Sequence, residues 1–71
     1  MFPERLNGLM VQQHITAYRI SKDTGIPERL IGYWKSGDKQ PTSGNLLKLA
    51  DYLDVSVDYL LGRTDKPEVN I

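Results

Sequence analysis

Few side chains in this sequence are equipped for bond-making chemistry. It has one histidine, His14, and no cysteine, so neither a thiolate nucleophile nor a cysteine-ligated zinc site can be built. His14 has no second ligand or acid–base partner near it in sequence and reads as a loop histidine. Asp51, Asp54 and Asp58 have the residue type of paired catalytic carboxylates or a cation site. Their spacing distributes them over a helix end and the next helix cap, with no nucleophile or phosphate loop beside them, and they read as solvated acids. Catalysis, a bound metal and a cofactor are therefore not expected. Recognition chemistry is better represented. Glu28, Arg29, Tyr33 and Ser36, with Gly32 among them, share one face of a helix whose other face carries Ile31 and Trp34. A carboxylate, a guanidinium fork, a phenol and a hydroxyl are thereby presented together.

The elements that must position this face are short. Thr16 supplies a hydroxyl cap for a helix over residues 17–24, and Gly25 is suited to the left-handed conformation that ends it. In Ile26-Pro27 the residue before proline is driven out of the helical region while proline fits a first helical position, so a second helix is expected over 27–36, stopped by Gly37. Ile20, Thr24, Ile26, Ile31 and Trp34 can face one core, and Ser21 is small where two helices cross closely. Two helices joined at a steep angle by a glycine-containing turn have helix-turn-helix geometry, with the outer face of the second helix as the reading surface.

The remaining chain supplies the support. Pro3 and Glu4 open a helix over 3–13 with Leu6, Leu9 and Met10 at helical spacing, although Gly8 weakens it by about 1 kcal/mol relative to alanine. Thr42 or Ser43 can cap a helix over 43–53, whose stripe is Leu46, Leu49, Ala50 and Leu53, with Leu47 off the stripe. Ser56 caps a last short helix over 57–61 that ends at Gly62. Leu6, Leu9, Ile20, Ile31, Trp34, Leu46, Leu49, Ala50, Leu53 and Leu60 are the expected core. The expectation is thus one all-α, five-helix domain over residues 1–62, followed by a loose, polar, proline-containing tail over 63–71. No apolar run approaches the roughly 20 residues of a membrane span, and no signal-peptide pattern opens the chain, so a cytoplasmic location without membrane contact is expected. Net charge is zero, but residues 1–40 hold six basic against four acidic side chains, a mild basic bias on the half that contains the helix pair.

These pieces together resemble the small helix-turn-helix domains of the phage Cro and repressor class, the xenobiotic-response-element family, over roughly Arg5 to Gly62. The resemblance is carried by R-L-x-x-L at Arg5 to Leu9, I-T at Ile15 and Thr16, G-I at Gly25 and Ile26, I-x-x-W-x-x-G at Ile31 to Gly37, and Pro41. It is strongest in N-L-L-K-L-A-D-Y-L-D-V-S-V-D-Y-L-L-G from Asn45 to Gly62. It implies a lambda-repressor-like domain in which the second helix braces on the DNA backbone and the third enters the major groove. Carried over by position, the base-reading residues are Glu28, Arg29, Gly32 and Tyr33, and the backbone contacts are Thr16, Ala17, Tyr18, Lys35, Ser36 and Lys39. Ala17 stands where the family usually has glutamine, and Gly32 where many members carry a polar reader. Met10 and Lys35 replace an arginine and a glutamate that commonly pair, so Met10 is expected to pack on the Lys35 stem while Lys35 faces phosphate.

The function the resemblance implies is sequence-specific binding of double-stranded DNA by a small transcriptional regulator, a repressor of phage or bacterial type, with no small-molecule ligand expected. Zero net charge, Ala17 and Gly32 lean instead toward a rival reading, a helix-turn-helix fold used for protein contact in the manner of an antitoxin. Since one reading helix covers only a few base pairs, a homodimer on a two-fold symmetric operator is expected. By the resemblance its interface would involve the region of the fourth and fifth helices, where Leu47, Val55, Val57, Tyr59 and Leu61 are the apolar residues available; the rival reading is that several of them simply close the core of the single chain.

Overall fold

The computed structural model describes residues 1–68 and contains five helices, α1 (Phe2–Gln12), α2 (Ala17–Thr24), α3 (Glu28–Ser36), α4 (Ser43–Leu53) and α5 (Val57–Leu60), with no strand among the described residues. The ends follow from local hydrogen bonding. Thr16, Thr42 and Ser56 each turn a side-chain oxygen back to accept a backbone N–H three residues on, from Arg19, Asn45 and Tyr59. Gly25 and Gly37 end α2 and α3 at φ 80° and 86°, in the left-handed region where a β-carbon is unfavourable. Asp54 ends α4 in the same region at φ 60°, as does His14 after α1 at φ 57°. Short polar side chains are the non-glycine residues most often found there.

Four boundaries depart from expectation by one residue. α1 starts at Phe2 rather than Pro3 and ends at Gln12, with Gln13 as its cap. α3 starts at Glu28 because Pro27, at ψ 135°, is extended and serves as the cap residue, its carbonyl accepting from Leu30 at 3.0 Å. α5 ends at Leu60, and Leu61 is its cap.

Trp34 lies at the centre of the core with Leu6, Ile20, Ile26, Ile31, Leu49, Leu53 and Leu60, all nearly inaccessible to solvent. Leu46, expected in the core, is only half-buried, in the largely exposed first turn of α4, and packs against the edge of the core. Phe2, Met10, Ile26 and Val55 are buried in addition to the expected set. Phe2 enters the core because the earlier start of α1 puts it four residues ahead of Leu6 on the same stripe.

α1 packs on α3 and α5, while α2 packs on α3 and α4, so α3 is held from two sides. Two side-chain amides of the first segment secure helix ends elsewhere. Asn7 Nδ2 donates to the carbonyls of Pro3 at 2.9 Å and Lys35 at 3.0 Å, and Gln13 Nε2 donates to the Leu53 carbonyl at 2.8 Å. The Lys35 and Leu53 carbonyls are ones that the C-terminal ends of α3 and α4 leave without a partner inside their own helices.

Beyond Gly62 the chain turns back along α5. The Ser56 N–H donates to the Pro67 carbonyl at 2.8 Å, and Arg5 donates to Asp65 at 2.9 Å with its guanidinium 4.2 Å from the centre of the Tyr59 ring. Of the segment read as a loose tail, residues 69–71 lie outside the described residues.

Candidate nucleic-acid interface

The turn between α2 and α3 is held by three hydrogen bonds. The Gly25 N–H donates to the Ser21 carbonyl at 2.9 Å, and the Thr24 hydroxyl donates to the Ile20 carbonyl while accepting from the Ile26 N–H at 3.2 Å. Ile26 is then drawn into the core, 2% exposed, which anchors the entry to α3. Thr24, expected to face the core, is half-buried with its hydroxyl occupied by the turn.

At about 100° per residue, the buried Ile31 and Trp34 and the half-buried Leu30 define the inner side of α3. Glu28, Arg29, Gly32 and Ser36 then fall together on the outer side, and all four are exposed. Tyr33 and Lys35 lie on opposite flanks of that side. The ion pairs among the described residues involve the N-terminus, Arg5, Arg19 and Arg63, and none uses Arg29 or Glu28. The guanidinium fork at the start of α3 is therefore not committed to a neighbouring acid. An alanine β-carbon at Gly32 would meet nothing within 4 Å, so the centre of the face is open backbone.

On one flank, Lys35 borders an open groove with Met10, His14, Thr16 and Ala17, which brings three of the expected backbone-contact residues together. Met10 itself is buried. Tyr18, in the first turn of α2, is 61% exposed with the Lys22 ammonium 6.0 Å from its ring centre. On the other flank, Tyr33 is half-buried and the Lys39 ammonium stands 4.7 Å from its ring centre. Ser36 is exposed, but its hydroxyl donates to the Tyr33 carbonyl at 3.1 Å.

Two residues that bear on this face, Asn7 and Tyr52, were not legible as such in the sequence. Asn7 holds the end of α3 through the Lys35 carbonyl. Tyr52 on α4 donates its hydroxyl to Asp23 Oδ2 at 2.5 Å, and Arg19 Nε donates to the same oxygen at 3.0 Å, tying α2 to α4. The Tyr52 hydroxyl, and after it Arg19, hold the Asp23 carboxyl below the usual aspartate range. The four-residue spacing of Arg19 and Asp23 was the one available signal; the partners of Asn7 and Tyr52 are far away in sequence.

Away from this face, Leu47 is 56% and Leu61 38% exposed on α4 and at the end of α5, with Val57 and Tyr59 half-buried. Val55, counted among the apolar residues available to an interface, is instead 4% exposed and closes the core of the single chain. No described helix is long and apolar enough to cross a membrane.

Comparison with known proteins agrees with this geometry. The chain is 34% identical over all 71 of its residues to an uncharacterized HTH-type transcriptional regulator, YobD, of Bacillus subtilis (strain 168), and it spans 63% of that relative's length. No solved structure matches the chain. A family model described as helix-turn-helix matches residues 8–60, taking in all of α2 to α5 and most of α1. The family is one of DNA-binding transcription regulators rather than of enzymes. With that match covering most of its length, and with five helices and a glycine turn before an outward-facing third helix, the chain belongs to the helix-turn-helix family of Cro/C1 type.

Proposed function

We propose that the chain binds double-stranded DNA sequence-specifically as a small transcriptional repressor of phage or bacterial type, in the cytoplasm, with α3 in the major groove. The observation that carries this reading is the outer face of α3, where uncommitted Glu28 and Arg29 stand beside the open backbone of Gly32, with Lys35 and Lys39 toward the two flanks. A helix about 10–12 Å across fits a major groove about 12 Å wide. Arg29 forks onto guanine O6 and N7, Glu28 accepts from cytosine N4, and Tyr33 meets a base edge from the flank, while Gly32 admits close approach of the backbone. Thr16, Ala17 and Tyr18 offer the free N–H groups of the start of α2 to phosphate, and Lys35, Ser36 and Lys39 add charge and a hydroxyl along the strands.

A second copy extends the reading. Leu47 and Leu61 are exposed, and Val57 and Tyr59 half-exposed, in the region of α4 and α5, so two copies joined there would place two reading helices on one side of the duplex. Half-sites would then lie about 34 Å apart, one turn of B-DNA. The test is selection of preferred sites from random duplexes. Enrichment of a two-fold symmetric motif, bound as a 2:1 protein-to-duplex complex in light scattering, is expected. Enrichment of no motif, with no duplex shifted in mobility at low salt, would refute DNA binding and favour the rival protein-contact role. A 1:1 complex on a symmetric site would refute the dimer alone.

A further inference from the structure

Lys39 lies beyond the end of α3, yet its ammonium stands 4.7 Å from the centre of the Tyr33 ring, on the helix it has just left. The turn at Gly37 explains the return. At φ 86° the chain reverses, and the N–H groups of Gly37 and Asp38 both donate to the Tyr33 carbonyl at 3.0 Å, joined there by the Ser36 hydroxyl. The segment that caps α3 is thus fastened to Tyr33, and the next side chain along it is laid on the Tyr33 ring. That ring is half-buried and packs against the core. Contact with the core together with a cation on the ring leaves it few orientations, because turning the ring away would forfeit the attraction between the ammonium and its negative face.

We infer that Lys39 is a positioning residue for base recognition: its ammonium, held on the Tyr33 ring by the Gly37 turn, fixes the orientation in which Tyr33 meets its base pair. This rests on the DNA-binding reading above and assigns Lys39 a role beyond that of a phosphate contact. The two roles differ in their signature. A lysine that only neutralises phosphate lowers affinity for every sequence alike, whereas one that holds a base reader alters preference at the position that reader touches.

The experiment is a double-mutant cycle of Lys39→Gln and Tyr33→Leu, with Lys39→Arg as the conservative variant. Affinities are measured on the selected duplex and on duplexes carrying each single base-pair change, and circular dichroism checks that every variant is folded. The position read by Tyr33 is the one at which Tyr33→Leu relaxes discrimination. Lys39→Gln is expected to relax discrimination at that same position by roughly two- to five-fold, the range of one cation–π contact at an exposed site. In the Tyr33→Leu background it should lower overall affinity without further change in preference, and Lys39→Arg, which also places a cation on the ring, should keep the wild-type preference. If Lys39→Gln weakens all duplexes by one factor and its effect adds to that of Tyr33→Leu, the inference is overturned while DNA binding stands. If the wild-type chain binds no duplex, the underlying reading fails and the inference fails with it.

Discussion

Replacing Gly32 by alanine separates what α3 contributes to folding from what it contributes to recognition. Gly32 lies inside α3 and is exposed, and a β-carbon added there meets no atom within 4 Å. No clash offsets the gain in helix propensity, so Gly32→Ala should stabilise the fold by about 1 kcal/mol. In a domain of this size that raises the melting temperature by about 4–8 °C. Gly8 provides the control, since it lies inside α1, is exposed, and has equally open surroundings. Gly8→Ala should give a similar gain. The two variants should part company on DNA. Gly8 lies on α1 and not on the outer face of α3, and its variant should bind the selected duplex as the wild type does. Gly32→Ala puts a methyl at the middle of the reading face and should lower affinity for that duplex several-fold despite the stabler fold. Thermal melts and fluorescence anisotropy titrations on the three proteins are sufficient. A Gly32→Ala protein that melts no higher than the wild type would refute the open-backbone argument, and one that binds as Gly8→Ala does would remove the centre of α3 from the interface.

Other perturbations test the core, the helix tie and the division of labour on the surface. Trp34→Ala should cost about 3–5 kcal/mol in chemical denaturation, much of the stability of so small a domain, and a loss under about 1 kcal/mol would contradict its central place. Asp23, held below the usual range first by the Tyr52 hydroxyl, stabilises the fold while ionised. That contribution is present above about pH 4, the unfolded value of aspartate, and is lost as pH falls through its lower folded value. Tyr52→Phe removes the largest cause of the shift, so melts across the acid range should show a shallower acid-side loss of stability than in the wild type; identical profiles would rule the tie out. Arg29→Ala should relax preference at one base pair by about 1–3 kcal/mol, whereas Lys35→Ala should weaken all duplexes alike and reduce the salt slope by about 1. Uniform weakening by Arg29→Ala would reassign that side chain to phosphate.

What the sequence made legible was local. The bounds of α2 and α4 were read correctly because Thr16, Gly25 and Thr42 are end signals whose partners lie within four residues. Pro27 misplaced the start of α3 by one residue, since proline is compatible with both a cap and a first helical position and only ψ distinguishes them. The periodic apolar residues named most of the core. Leu46 is less buried than its place on the stripe implies, because periodicity reports which side of a helix is apolar and not how deeply each turn is covered; for Val55, a loop residue, periodicity left interface and core both open, and it packs in the core. The α3 face was visible as a stripe of residue types. Its fastening by Asn7, by the Tyr52–Asp23 bond and by Lys39 on Tyr33 was not, because the first two join residues 28 or more apart and the third depends on the reversal at Gly37.

The central claim is that the outer face of α3 reads duplex DNA. Its most direct test is titration of the isotope-labelled chain with a selected duplex, followed residue by residue through backbone amide resonances. The largest changes are expected from Glu28 to Lys39 and from Thr16 to Arg19, with smaller changes in α4 and α5 from contact between copies. Changes confined to α4 and α5, or none at any residue, would contradict it.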